Sequence, residues 1–103
     1  MESSRRRITG WGRTNASVAD LLDVTAAELP AAVKGAGPRG ALVRGLGRSY
    51  GDAAQNSGGT VMRLAGTAND AVIDPVARTV TVSAGVSLDE LMRVIVPKGW
   101  FVP

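Results

Sequence analysis

Along the chain the apolar positions change period several times, and each change marks an element. Residues 17–24, Ser-Val-Ala-Asp-Leu-Leu-Asp-Val, mix apolar and acidic side chains without a clean period and suit either a short strand or the entry to a helix. Thr25 followed by Glu28 has the spacing of a capping box, in which the hydroxyl meets an amide of the first turn and the carboxylate reaches back. A helix over about 26–35 follows, with Leu29, Ala32, Val33 and Ala36 spaced as one half-buried stripe. Pro30 is misplaced in a helix interior, which shifts the start toward a register that puts Pro30 at the first helical position. Gly35, Gly37 and Pro38 end the helix, with glycine in the left-handed cap.

Ala41 to Val43 is a short apolar strand, and from Arg44 to Gly59 neither a helical nor a strand period survives. Five glycines fall there, at 45, 47, 51, 58 and 59. A loop of that length in a compact domain is usually either functional or disordered. Thr60 to Leu64 resumes as a strand. Ala71 to Asp74 pairs with Thr79 to Ala84 across Pro75 to Arg78 as a β-hairpin, Val80 and Val82 facing one way and Thr79, Thr81 and Ser83 the other. Ser87 with Glu90 is a second capping box, opening a helix through about Val96 that is apolar at Leu88, Leu91, Met92, Ile95 and Val96. Pro97 and Gly99 stop it, and Phe101 to Pro103 begins an apolar strand. The expectation is a mixed α+β fold, strand-helix-strand, glycine-rich loop, β-hairpin and helix, incomplete at its C-terminal end.

Composition narrows the chemistry. The chain has 103 residues, 45% of them hydrophobic and 20% charged, which is one small domain and too apolar for a disordered segment. Thirteen glycines are nearly twice the average usage of about 7%, so the backbone itself is a candidate ligand-binding surface. The net charge is +3, and all of it is carried by Arg5, Arg6, Arg7 and Arg13 against Glu2. Residues 1–13 therefore read as a basic flexible terminus, and residues 14–103 as an electrically neutral domain portion. With only one Tyr, one Phe and two Trp to stack on bases, nucleic acid is not an expected partner. The arginine run is followed by no apolar segment, so it reads as no secretory signal, and no stretch approaches the roughly 20 apolar residues of a transmembrane span.

The chain contains no Cys and no His. Disulfides, thiolate nucleophiles and Ser-His or Cys-His arrangements are excluded within it, and no metal site is expected. Any redox or group-transfer chemistry must come from a bound cofactor.

The one segment patterned for such a ligand is Val43-Arg44-Gly45-Leu46-Gly47-Arg48-Ser49-Tyr50-Gly51-Asp52-Ala53. Three glycines remove the Cβ atoms that would keep a ligand from the backbone, so successive amides are free to converge on an anion. Arg44, Arg48 and Ser49 add charge and a hydroxyl donor. The spacing is neither the dinucleotide fingerprint nor a P-loop. On residue pattern alone, a phosphate-binding nest and a plain glycine-rich turn between two strands are comparable readings.

The same residues, continued by Ala53-Ala54-Gln55-Asn56 and Gly58-Gly59, resemble the diphosphate-binding loop of the vanillyl-alcohol oxidase superfamily of flavoenzymes, whose cofactor domain is called PCMH-type. The narrower likeness is to the lipid-linked-sugar oxidases of cell-wall arabinan synthesis. Thr9-Gly10-Trp11-Gly12-Arg13-Thr14, the segment from Ala84 to Met92, and Pro97 to Pro103 share in it. The resemblance implies FAD as cofactor, held by Val43 to Ala53. Gly45, Gly47 and Gly51 give close approach, Ser49 and Tyr50 polar contacts, and Asp52 orients the loop. It implies oxidation of a CH–OH group of a sugar or polyol, with an aldonolactone or alditol oxidase, or a non-enzymatic module for a phosphorylated ligand, as alternatives. No residue of this chain is assigned to catalysis, and 103 residues alone are expected to be inactive. A cytoplasmic location, membrane-peripheral or not, completes the expectation. Trp11 and Trp100, each beside glycine, read as packing anchors.

Overall fold

The computed structural model describes residues 2–103, and these form two compact units, residues 2–65 and 66–103. The first is a four-stranded sheet in the order β1-β2-β4-β3. Strand β1 (Ser3–Thr9) runs antiparallel to β2 (Ala16–Val24), while β4 (Thr60–Leu64) lies parallel to both β2 and β3 (Ala41–Val43). Residues 5–7, expected to be flexible, are thus hydrogen-bonded strand. Their three arginines alternate across an edge strand, and Arg5 meets Asp20 of β2 at 3.3 Å.

Register assigns the two faces of this sheet. Leu22 sits beside Met62, and with Val24 and Ala32 they form one buried cluster, against which Leu29 and Leu64 pack. Their neighbours one residue back, Leu21 and Val61, point the opposite way and join Ile8 and Ala19 in a second cluster. Helix α1 (Leu29–Lys34) covers the first face through Ala32. It is shorter than expected, because Pro30 lies in its first turn. The Thr25–Glu28 pair does form its reciprocal bonds, Thr25 N to Glu28 Oε1 at 3.0 Å and Glu28 N to Thr25 Oγ1 at 3.3 Å, but one turn ahead of the helix. Val33 is consequently exposed rather than part of the buried stripe. Gly35 caps in the right-handed region, φ −80°, and the left-handed glycine is Gly40, φ +70°.

The second unit contains a 3₁₀ turn at Ala68–Asp70, the hairpin β5 (Val72–Asp74) and β6 (Thr79–Thr81), and helix α2 (Leu88–Ile95). Ser87 Oγ accepts from Glu90 N at 3.1 Å, the expected N-cap, and Leu91 and Ile95 are the buried positions of α2. A 3₁₀ turn at Val96–Lys98 follows, closed by Gly99 at φ +87° with Trp100 N donating to Ile95 O. That bond and the left-handed glycine are the Schellman way of ending a helix. Trp100 is half-buried and, with Ile73, Val80 and Ile95, lines an apolar pocket of about 200 Å³. The strand expected at Phe101–Pro103 is absent, since no strand among the described residues offers that backbone a ladder of hydrogen bonds. The architecture is mixed α and β, as expected. Among the described residues no helix is long and apolar enough to cross a membrane.

Candidate site: an arginine-lined pocket under a glycine loop

Between β3 and β4 the backbone from Arg44 to Gly59 forms no helix or strand, yet it is fastened at several points to sequence-distant carbonyls. Arg44 N donates to Met62 O at 2.8 Å, setting the exit from β3. The Arg44 side chain then turns inward, Nη1 donating to Ala54 O at 2.9 Å and Nη2 to Thr9 O at 2.6 Å. At the other end, Gln55 accepts from Ser17 Oγ at 2.7 Å and donates to Asn15 O at 2.8 Å. Asn56 Nδ2 lies 3.2–3.3 Å from the carbonyls of Arg39, Gly40 and Thr60. Gln55 and Asn56 are therefore committed to holding the loop.

The segment after β1 closes against the same loop. Trp11 N donates to Ser49 O at 3.0 Å. Gly10 is buried there, and a Cβ on it would collide with the carbonyl oxygen of Gly51 and lie 2.8 Å from that of Ser49. Only glycine lets these two backbones meet. Trp11 and Tyr50 stand edge to face, ring centroids 5.4 Å apart, and both are largely exposed, 62% and 79%. Trp11 is thus not the packing anchor that its neighbours suggested.

These contacts enclose an open pocket of about 570 Å³, lined by Thr9, Gly10, Trp11, Arg13, Arg44, Leu46, Gly47 and Arg48. Three arginines and no carboxylate line it, so the pocket attracts anions. Arg13, which sequence reasoning did not single out, holds a left-handed backbone at φ +54°, a conformation that non-glycine residues adopt at a cost of order 1–3 kcal/mol and that clusters at functional sites. Its charge was counted with the basic terminus and its segment, Thr9 to Thr14, with the resemblance, but neither placed it at a site.

Of the residues expected to bind cofactor, Arg44, Leu46, Gly47 and Arg48 line this pocket, and Ser49 and Tyr50 meet Trp11 beside it. Gly45 has open space where a side chain would be, and Gly47 and Gly51 use the left-handed backbone, φ +73° and +62°. Asp52 lines a different, polar pocket with Asn15, Ser17, Arg39, Gln55 and Asn56, and accepts Gln55 N at its carbonyl. Val43 on β3 and Ala53 are exposed and line neither pocket. Cationic side chains, glycine backbone and a surface free of carboxylates suit a diphosphate.

Arginines and glycine backbone around the pocket make this a candidate anion-binding chain, and the family comparison supplies the cofactor class. Residues 21–103 match the model of the FAD binding domain family; the chain belongs to that family, and FAD is its cofactor. A particular relative is the decaprenylphosphoryl-beta-D-ribose oxidase of Mycolicibacterium smegmatis, 45% identical over 105 residues that cover 98% of this chain and 23% of that protein. The chain thus spans about a quarter of the length of the curated relative it matches.

Proposed function

We propose that this chain forms the first half of a PCMH-type FAD-binding domain, one that takes in strand β1 and the Thr9–Arg13 segment as well as residues 14–103, in a flavin-dependent oxidoreductase that acts on the CH–OH group of a lipid-linked sugar. The observation that carries the reading is the pocket in which Arg13, Arg44 and Arg48 face an opening bordered by glycine backbone, with no acidic residue in its lining. In this reading the loop from Val43 to Ala53 receives the diphosphate of FAD. When bound, FAD supplies the hydride acceptor for oxidation of a carbinol carbon, chemistry that no side chain of a His- and Cys-free chain supplies. The chain's own residues bind and orient: the loop amides, Arg13 and Arg48 neutralise the diphosphate, and Gly10 lets the Thr9–Arg13 segment and the loop meet beside it. The likeness to an oxidase named for a phosphoryl-linked ribose favours a sugar over a simple polyol, and with it a cytoplasmic or membrane-peripheral role in arabinan synthesis.

The test is to isolate the protein natively from its source cells by an N-terminal affinity tag. The expected result is one FAD per chain by absorbance and mass, bleached anaerobically by a polyprenyl-phosphoryl pentose and not by the free pentose. Bleaching by alditols or aldonolactones instead would move the substrate class. Absence of flavin, with retention of another phosphorylated ligand, would contradict the oxidase reading.

A further inference from the structure

The three arginines of the pocket differ in what they hold. Arg13 and Arg48 are exposed, and neither side chain donates a hydrogen bond or forms an ion pair among the described residues. Arg44 is half-buried, and its guanidinium already spans two carbonyls, Thr9 O at the end of β1 and Ala54 O at the far end of the glycine loop. A planar fork with donors on both arms satisfies two such acceptors at once; an ammonium, a single point charge, does not span them. Gly47 stands directly on that guanidinium, since a Cβ there would collide with Nη2 and lie 2.8 Å from Cζ. The tip of an arginine usually moves aside, but here moving it breaks both carbonyl bonds.

We propose that Arg44 is the positioning residue of this site. It fixes the loop from Gly45 to Ala54 against Thr9 and leaves the anion to the loop amides, Arg13 and Arg48. The proposal rests on the flavin reading for the identity of the anion, and on geometry alone for the fastening. Arg44 is the residue most easily mistaken for a phosphate contact, because it opens the loop and carries the right charge. Its two bonds are to main-chain carbonyls, and their loss frees the loop without removing an exposed cation.

The experiment uses the natively isolated protein and two readouts, FAD affinity and trypsin cleavage after Arg48 in the ligand-free state. Arg44→Ala and Arg44→Lys are both expected to weaken FAD binding by about thirtyfold, the equivalent of two lost hydrogen bonds at about 1 kcal/mol each, and to open the Arg48 bond to trypsin. Added guanidinium ion restores both in Arg44→Ala. Arg48→Ala, a contact residue in this scheme, loses about threefold to tenfold in affinity. It keeps its protection at the Arg44–Gly45 bond, the remaining trypsin site of the loop, and gains nothing from guanidinium. Should Arg44→Ala fail to fold, Arg44→Lys, which keeps the charge and loses the planar fork, decides the fastening by the same two readouts. Wild-type affinity and protection in Arg44→Lys, or a folded Arg44→Ala that guanidinium does not rescue, would overturn the proposal. A wild-type protein that takes up no FAD overturns the flavin reading, and the trypsin pattern of the ligand-free variants then decides Arg44 by itself.

Discussion

The connection between β3 and β4 and the turn between β5 and β6 are both interruptions between strands, and they are ordered by opposite means. The hairpin turn satisfies itself: Asp74 Oδ1 accepts from Val76 N at 3.0 Å and Ala77 N at 3.1 Å, and Arg78 closes the turn in the left-handed region, φ +57°. Every group involved lies within five consecutive residues. The glycine loop instead depends on distant partners. Arg44 reaches Thr9, Gln55 reaches Asn15 and Ser17, Asn56 reaches Arg39 and Gly40, and Gly10 abuts the carbonyls of Ser49 and Gly51. A local turn orders as soon as its strands pair. A loop held by remote carbonyls orders only when the whole sheet has formed, which leaves its amides available to a ligand rather than to one another.

Changes at remote fasteners should therefore cost more than changes at local ones, and should move flavin binding as well as stability. The largest effect is expected at Gly10→Ala. Its new methyl meets backbone oxygen on the loop, which has no side-chain rotamer to yield, so overpacking at the upper end, about 3 kcal/mol, is expected by thermal unfolding together with loss of FAD binding. Next comes Asn56→Ala. It strips the donor shared by the carbonyls of Arg39, Gly40 and Thr60, and about 2 kcal/mol should be lost in a urea titration, with weakened FAD affinity. Asp74→Ala removes both turn bonds of the hairpin, yet the freed amides face water; about 1 kcal/mol and an unchanged FAD affinity are expected. A binding loss in Asp74→Ala as large as in Asn56→Ala would erase the distinction between the two regions.

The smallest effect is at another local motif, Thr25–Glu28. The backbone amide of Thr25, then its hydroxyl, hold the Glu28 carboxyl below its ordinary value. A carboxyl whose folded value is lowered adds stability above the unfolded value and loses it as pH falls through the folded one. Glu28→Gln should thus flatten a shallow acid limb of the stability curve below the ordinary glutamate range and leave neutral-pH FAD binding alone, as measured by parallel melts across that window.

The same contrast separates what was legible in the residues from what was not. Strand β4, the β5–β6 hairpin and the capped helix α2 follow from alternation, turn residues and a Ser-to-Glu spacing, all short-range signals, although β6 stops at Thr81, short of the expected Ala84. Strand β1 was invisible because Arg5, Arg6 and Arg7 resemble a solvated tail. Its order comes from seven register pairs with β2, not from its own pattern. The length of α1 is not legible because the Thr25–Glu28 box closes a turn of its own over residues 26–28, and the helix begins only at Leu29, with Pro30 in its first turn. At the site, glycine spacing marked the loop from Val43 to Ala53 as a candidate ligand surface and the family resemblance, not the spacing, implied FAD; the inward turn of Arg44 was not legible, since its acceptors belong to Thr9 and Ala54 and carry no side-chain signature. Arg13 was hidden for the same reason: its place in the pocket is a product of where Gly10 lets two backbones meet.

The central claim is that the loop from Gly45 to Ala53 is the surface that receives FAD, and amide hydrogen exchange of the natively isolated protein, with and without saturating FAD, tests it most directly. The account predicts that FAD slows exchange at Gly45 to Gly51 and in the Thr9–Arg13 segment, while the Val76–Arg78 turn exchanges at the same rate in both states. Unchanged exchange through the glycine loop at full flavin occupancy would contradict it.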